Sequence, residues 1–209
     1  MNIEELKNPS FKAGLFDLDG VIVDTESQYT IFWGGIGREY HPEIPDFAHR
    51  IKGQTLVQIS EWFRPEEMES IVARLDRFES EMDYSYIPGA FEYLKFLNSR
   101  GIRLAIVTSS NQVKMDSLWK QRPELRELFD RVLTSEDFKA SKPDPYCYVL
   151  GTQIFGLTAE ECVVFEDSFS GVKAGKASGC RVVGLATTNP AEALQPFCNI
   201  VMNDFKDLI

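Results

Sequence analysis

A doubly wound α/β fold is what the sequence predicts: a mostly parallel five-stranded sheet, with a small all-α unit inserted after the first strand. Three observations predict it. Short apolar runs are continuous rather than alternating, helical patterns lie between them, and no strand-like run occurs from Asp24 to about Ile87. Continuous runs suit parallel strands covered on both faces. Strands alternating with helices imply right-handed crossovers.

The strand-like runs are Phe11 to Leu18, Arg103 to Ser109, Arg131 to Ser135, Cys162 to Asp167 and Arg181 to Thr187. Between them, "PGAFEYLKFLNSRG" opens on Pro88 and stops at Gly101, and "SGVKAGKASG" ends in Gly179, both helix-terminating positions for glycine. The inserted span reads as helices in "ESQYTIFWGGIGREY", "TLVQISEWF" and "PEEMESIVARLDRFESEMD", with Pro65 at a first helical position. The expected division is therefore a core of residues 1–23 and 87–209 and a helical cap of residues 24–86. "GGIG", Gly34 to Gly37, is read as a helix break, because it follows no strand and does not fit GxGxxG. The cap aromatics Tyr29, Phe32, Trp33, Trp62 and Phe63 fall at roughly helical spacing and are expected to form the cap's own core.

Composition narrows the function. The 209 residues carry a net charge of −10 with no Lys/Arg block, which argues against nucleic acid or an anionic membrane as partner and favours a divalent cation. No run of about 18 apolar residues occurs, and the N-terminus lacks a signal-peptide pattern, so a soluble, cytoplasmic protein is expected; a monomer is expected as well, though no residue pattern sets the oligomeric state. Cys147, Cys162, Cys180 and Cys198 form no CxxC, and His41 and His49, read as surface residues, lie far from them. Buried free thiols are expected and zinc is not.

In an open parallel sheet the carboxyl ends of the strands share one edge, where ligands bind. That edge would gather Asp17 and Asp19 from the first strand, Thr108, Ser109 and Ser110 from the second, and Glu166 and Asp167 from the fourth. Four carboxylates at one rim raise one another's pKa unless a cation joins them, and an oxygen-only set selects a hard ion such as Mg²⁺. Lys142, in the turn "KASKPDP" stiffened by Pro143 and Pro145, adds a fixed ammonium, and the hydroxyls of Thr108 and Ser109 complete an anion cradle. A phosphoryl group is the expected anion. Asp17 would attack phosphorus, forming an aspartyl phosphate, while Asp19 would protonate the departing oxygen and later take a proton from water.

The stretches "DLDGVIVDTE", "VTSS", "KPDP" and "VVFEDSFSGVKAGKASG" resemble, in order, the four motifs of the haloacid dehalogenase-like (HAD) superfamily, whose core is Rossmann-like. The resemblance spans nearly the whole chain and is nearest the helical-cap branch of sugar-phosphate phosphatases and β-phosphoglucomutase. It implies Asp17 as nucleophile, Asp19 as acid/base, Thr108 and Lys142 as phosphate binders, and Glu166 with Asp167 as metal ligands. In the family Mg²⁺ also takes an oxygen of the nucleophile and the backbone carbonyl of the second aspartate, here Asp17 and Asp19. An acid at Asp19 disfavours carbon–halogen or carbon–phosphorus cleavage. The mutase carries a cap histidine where this chain has Tyr29, and a substrate-binding arginine where it has Leu56; both departures favour a phosphatase acting on a small phosphorylated metabolite. A phosphosugar mutase and a non-catalytic phosphate sensor are the alternatives. The loop "RIKGQT" supplies Lys52, Gly53 and Gln54 as candidate substrate-reading residues of the cap, and Asp24 and Glu26 lie at its hinge without an assigned role.

Overall fold

The protein is described here from a computed structural model covering residues 1–52 and 54–209. Strands β1 (Ala13–Phe16), β2 (Arg103–Val107), β3 (Arg131–Leu133), β4 (Cys162–Glu166), β5 (Arg181–Leu185) and β6 (Ile200–Met202) form one sheet in the order β3-β2-β1-β4-β5-β6. Every neighbouring pair is parallel. Among the described residues the sheet therefore has six strands, not five. The sixth is three half-buried residues at the edge, too short to stand out as an apolar run.

Alternation along the strands divides the core in two. Phe16, Ile106, Phe165 and Val183 enter one cluster, while Leu15, Ala105, Val164 and Val182 enter the other. Both faces are apolar because both are covered, so the central strands carry no polar side chain until their ends. Phe16 and Phe165 pair in register across β1 and β4, with rings stacked 4.1 Å apart.

After β1 the chain enters helices α1 (Glu26–Tyr40), α2 (Phe47–Arg50), α3 (Leu56–Ser60) and α4 (Pro65–Glu81). Their apolar faces enclose a cluster that includes Trp33, Ile36, Phe47, Ile59, Ile71 and Leu75, against which Tyr29, Phe32, Trp62 and Phe63 pack. The two connections to the sheet domain run side by side. Val23 bridges Tyr86, and the amide of Asp24 donates to Ser85 O at 2.8 Å.

Two expectations fail in this region. Gly34 to Gly37 do not break the helix; α1 runs straight through them. A Cβ on Gly37 would lie 2.4 Å from the Cβ of Phe47, so this glycine is where α2 packs closely on α1, and packing outweighs glycine's poor helix propensity. Nor is His41 a surface residue. It is half-buried, its ring stacks on Phe47 at 5.2 Å, and Nε2 lies 2.8 Å from Trp62 O; His49 is exposed as expected.

The chain then supplies α5 (Ala90–Ser99), α6 (Gln112–Gln121), α7 (Tyr146–Phe155) and α8 (Phe169–Ala177) to cover the sheet. All four cysteines are free thiols, three buried and Cys198 half-buried. Among the described residues no helix is long and apolar enough to cross a membrane.

Candidate active site

Each strand of the central trio ends in polar residues at the same edge. Asp17 follows β1, and its amide extends the ladder by donating to Phe165 O at 3.0 Å. Thr108 follows β2 and Asp167 follows β4. Gly20 then turns the chain back with φ +70°, placing its α-carbon close against the Asp167 carboxylate. Above this edge lies a cavity of about 530 Å³, bordered on the far side by cap residues; its lining includes Asp17, Asp19, Thr108, Ser109, Lys142 and Asp167.

Asp17, Glu166 and Asp167 each bring one carboxylate oxygen within 4.8 Å of the other two. Burial pushes Asp17 up to about 7, Lys142 pulls against that rise, and Glu166 and Asp19 add to it. Burial likewise raises Asp167 well above the carboxylate range, helped by the neighbouring Glu166 and Asp17. Such a group is short of positive charge. Oxygen donors at this separation, with no thiol or imidazole among them, fit a hard divalent cation.

Glu166 is the member with its oxygens already engaged. Oε1 accepts from Lys142 Nζ at 2.6 Å and from the Tyr148 hydroxyl at 2.7 Å. Oε2 accepts from the amides of Asp167 and Ser168 and from the Ser168 hydroxyl. Gly171 in α8 makes room for it, since a Cβ there would lie 1.8 Å from the carboxyl group. Lys142 is thereby fixed: its ammonium also donates to Val107 O at 3.0 Å and lies 3.2 Å from Asp17. Burial alone would lower the Lys142 pKa, but Asp17 and Glu166 outweigh it and keep the ammonium charged.

Asp19 is held differently. Burial would raise its pKa, yet the Lys114 ammonium and hydrogen bonds from Lys114, Thr25 and Ser110 hold it below the usual carboxylate range. Thr108 is buried with its hydroxyl accepting from the Ser110 amide at 3.0 Å, and Ser109 is exposed to the cavity.

On the cap side, Lys52 faces the cavity but is paired with Glu26 at 3.3 Å. Gln54 lines it too, with Oε1 buried and unpartnered. Gly53, the third residue expected there, lies outside the described residues. Leu56 also lines the cavity, while Asp24 is exposed at the hinge. Tyr29 and Trp33 both pack in the cap and line the cavity, so the core reading of the aromatics captures only half of what these two do. Sequence reasoning missed Lys114, Thr25, Glu79 and Tyr148. Lys114 alone left a trace, as a lysine at a position of α6 where the helix faces inward.

Comparison with known proteins agrees with this geometry. The chain is 33% identical over 191 residues to hexitol phosphatase A of Escherichia coli, covering 87% of this chain and 85% of that protein. It is also 33% identical over 196 residues to the phosphorylated carbohydrates phosphatase of Thermotoga maritima, covering 88% and 89% of the two. A solved structure of a β-phosphoglucomutase-type protein from Thermotoga maritima superposes with a TM-score of 0.73 at 31% identity, over 94% of this chain and 96% of that one. A family profile described as haloacid dehalogenase-like hydrolase matches residues 15–185, so with its motifs at one sheet edge beneath a helical cap, the chain belongs to the haloacid dehalogenase-like hydrolases.

Proposed function

We propose that this hydrolase is a Mg²⁺-dependent phosphatase that cleaves a small phosphomonoester, a sugar or polyol phosphate, by way of an aspartyl phosphate on Asp17. The observation that carries the reading is the meeting of Asp17 with Lys142 at 3.2 Å beside Asp167, a nucleophile flanked by an anion-binding ammonium and a second carboxylate. Asp17 and Asp167 would hold the ion directly, with the backbone carbonyl of Asp19. Glu166, its oxygens taken, would act on the site by fixing Lys142. The ion when bound supplies charge neutralisation at the phosphoryl oxygens.

The chain's own residues do the rest. Lys142 with the hydroxyls of Thr108 and Ser109 orients the phosphoryl group, so that Asp17 lies in line with the leaving oxygen. Phosphorus passes to Asp17 as the bond to the alcohol breaks, and Asp19, which must first take up a proton against the pull of Lys114, gives it to the departing oxygen. Asp19 then takes a proton from the water that releases phosphate and restores Asp17. The cap, when it closes over the cavity, would keep bulk water out during transfer and must open for release.

Phosphatase is favoured over mutase by the cap side of the cavity. A mutase must seat a second phosphate, yet the cap-side lysine, Lys52, is paired with Glu26, and Leu56 and Tyr29 line the cavity at the positions where the resemblance puts the mutase's arginine and histidine. The names of the two enzyme relatives support a carbohydrate or polyol phosphate. The test is phosphate release from p-nitrophenyl phosphate and a panel of sugar and polyol phosphates. Release should vanish with EDTA, return with Mg²⁺ and fall by about a thousandfold or more in Asp17→Asn; full activity in that variant refutes the reading.

A further inference from the structure

A second buried ammonium faces the cavity, and the reaction outlined above gives it no task. Lys114 stands in the first turn of α6, whose cap Asn111 accepts from the Lys114 amide at 2.9 Å, and its side chain is 2% exposed. Nζ donates to Asp19 Oδ1 at 2.5 Å and sits 4.5 Å over the ring of Tyr29. Asp19 belongs to the sheet domain and Tyr29 to the first cap helix. The Tyr29 hydroxyl in turn donates to Glu79 of α4 at 2.7 Å. One ammonium therefore spans the seam between the carboxylate that handles protons and the underside of the cap.

The distribution of donors over Asp19 gives this contact its meaning. Oδ1 takes two, the Lys114 ammonium and the Thr25 hydroxyl, which fills the two lone pairs of a carboxylate oxygen. Among the described residues Oδ2 takes one, from the Ser110 hydroxyl at 2.9 Å, which leaves it a lone pair. Stability alone is a weak reason for such a pair, because a buried ion pair is often matched or exceeded by apolar residues of similar volume.

We propose that Lys114 is a positioning residue: by saturating Oδ1 and resting against Tyr29 of the cap, it fixes the Asp19 carboxyl so that Oδ2 is the oxygen that exchanges a proton with the leaving group. The inference rests on the phosphatase reading. Its consequence falls on leaving groups that need a proton. An alkyl phosphate departs as an alcohol and depends on a well-aimed Asp19, whereas p-nitrophenolate departs without help.

The ratio of kcat/KM for a hexitol 6-phosphate to that for p-nitrophenyl phosphate isolates the step, since kcat/KM reports events up to the first irreversible one, transfer to Asp17. Lys114→Met should lower the ratio at least tenfold, and Lys114→Arg should restore part of it. Tyr29→Leu, which removes the cap's contact on the ammonium and leaves the pair with Asp19, should lower the ratio in the same direction by a smaller factor; it carries the test if Lys114→Met does not fold. Equal losses on both esters in these variants, or none, overturn the proposal. Wild-type protein that releases phosphate from neither ester overturns the phosphatase reading, and the proposal with it.

Discussion

Asp17 and Asp19 are two residues apart, both half-buried, and their carboxyls are pushed in opposite directions. The difference lies in their partners. Asp17 shares Lys142 with Glu166, whereas Asp19 has Lys114 and two hydroxyls to itself. In the proposed mechanism Asp17 therefore needs a bound cation to ionise, and Asp19 must take up a proton against the pull of Lys114 before it can give one. The opposed shifts also predict how the metal-free protein responds to pH. Asp17 titrates at about 7 when folded against 3.8 ordinarily, so between those values the folded state keeps a proton that the unfolded state has lost. Stability from this group is full below about pH 4 and declines as pH rises through about 7. Asp19, lowered on folding, contributes the opposite trend, lost only in acid below its ordinary value of 3.8. Melting temperatures in EDTA should therefore fall from pH 5 to pH 8. Added Mg²⁺ should flatten that slope, because bound metal favours the ionised carboxylate; an EDTA profile that rises over this range contradicts the assignment for Asp17. At this scale the sequence was legible wherever chemistry sits at a strand end. Asp17, Asp19 and Asp167 are placed at the rim that way, and Lys142 by the proline-flanked turn that follows the third strand. Tyr148 was not, because a tyrosine in an apolar helix reads as packing until its hydroxyl is seen on Glu166.

The strands of this protein are short and uninterrupted, and the helices carry the adjustments. In α1 three glycines within four positions have different duties. Gly37 lies against Phe47, where a Cβ would come to 2.4 Å, while a Cβ on Gly34 would meet nothing nearer than the end of the Arg38 side chain at 3.5 Å. Gly37→Ala should cost about 1–3 kcal/mol by forcing α2 off α1. Gly34→Ala should stabilise by about 0.5–1 kcal/mol, the helix-propensity gain without a clash. Urea unfolding of the two variants beside the wild type checks both signs, and a stable Gly37→Ala would mean the two helices pack less closely than described. The break expected at "GGIG" was a reading of local propensity alone. Close approach of two helices is a tertiary demand, and glycine meets it in a helix interior at a cost that packing offsets.

Across the whole molecule, the cavity between cap and sheet is acidic. Its lining holds the carboxylates of Asp17, Asp19, Glu26, Glu79, Glu136 and Asp167 against the ammoniums of Lys52, Lys114 and Lys142. In the proposed reaction a divalent ion and the transferring phosphoryl group would roughly cancel, which leaves no net positive charge for a second anionic group on the substrate. Esters with an uncharged, hydroxyl-bearing remainder should be preferred. In a phosphate-release panel, kcat/KM for hexitol and hexose phosphates should exceed that for phosphoglycolate and for sugar bisphosphates by about tenfold or more, since each like-charge contact in a partly desolvated site costs at least about 1.4 kcal/mol. Equal turnover of bisphosphates would count against this electrostatic reading. What the amino-acid order alone determined was the α/β class, the helical insertion and the carboxylates and lysine at the rim of the sheet. Parallel strands announce themselves by apolar runs, and their carboxyl ends must share an edge. Only the folded chain decided that residues 29, 79 and 114 meet over Asp19, because their contact depends on how the cap helices lie on α6, and no local periodicity records the orientation of one domain on another.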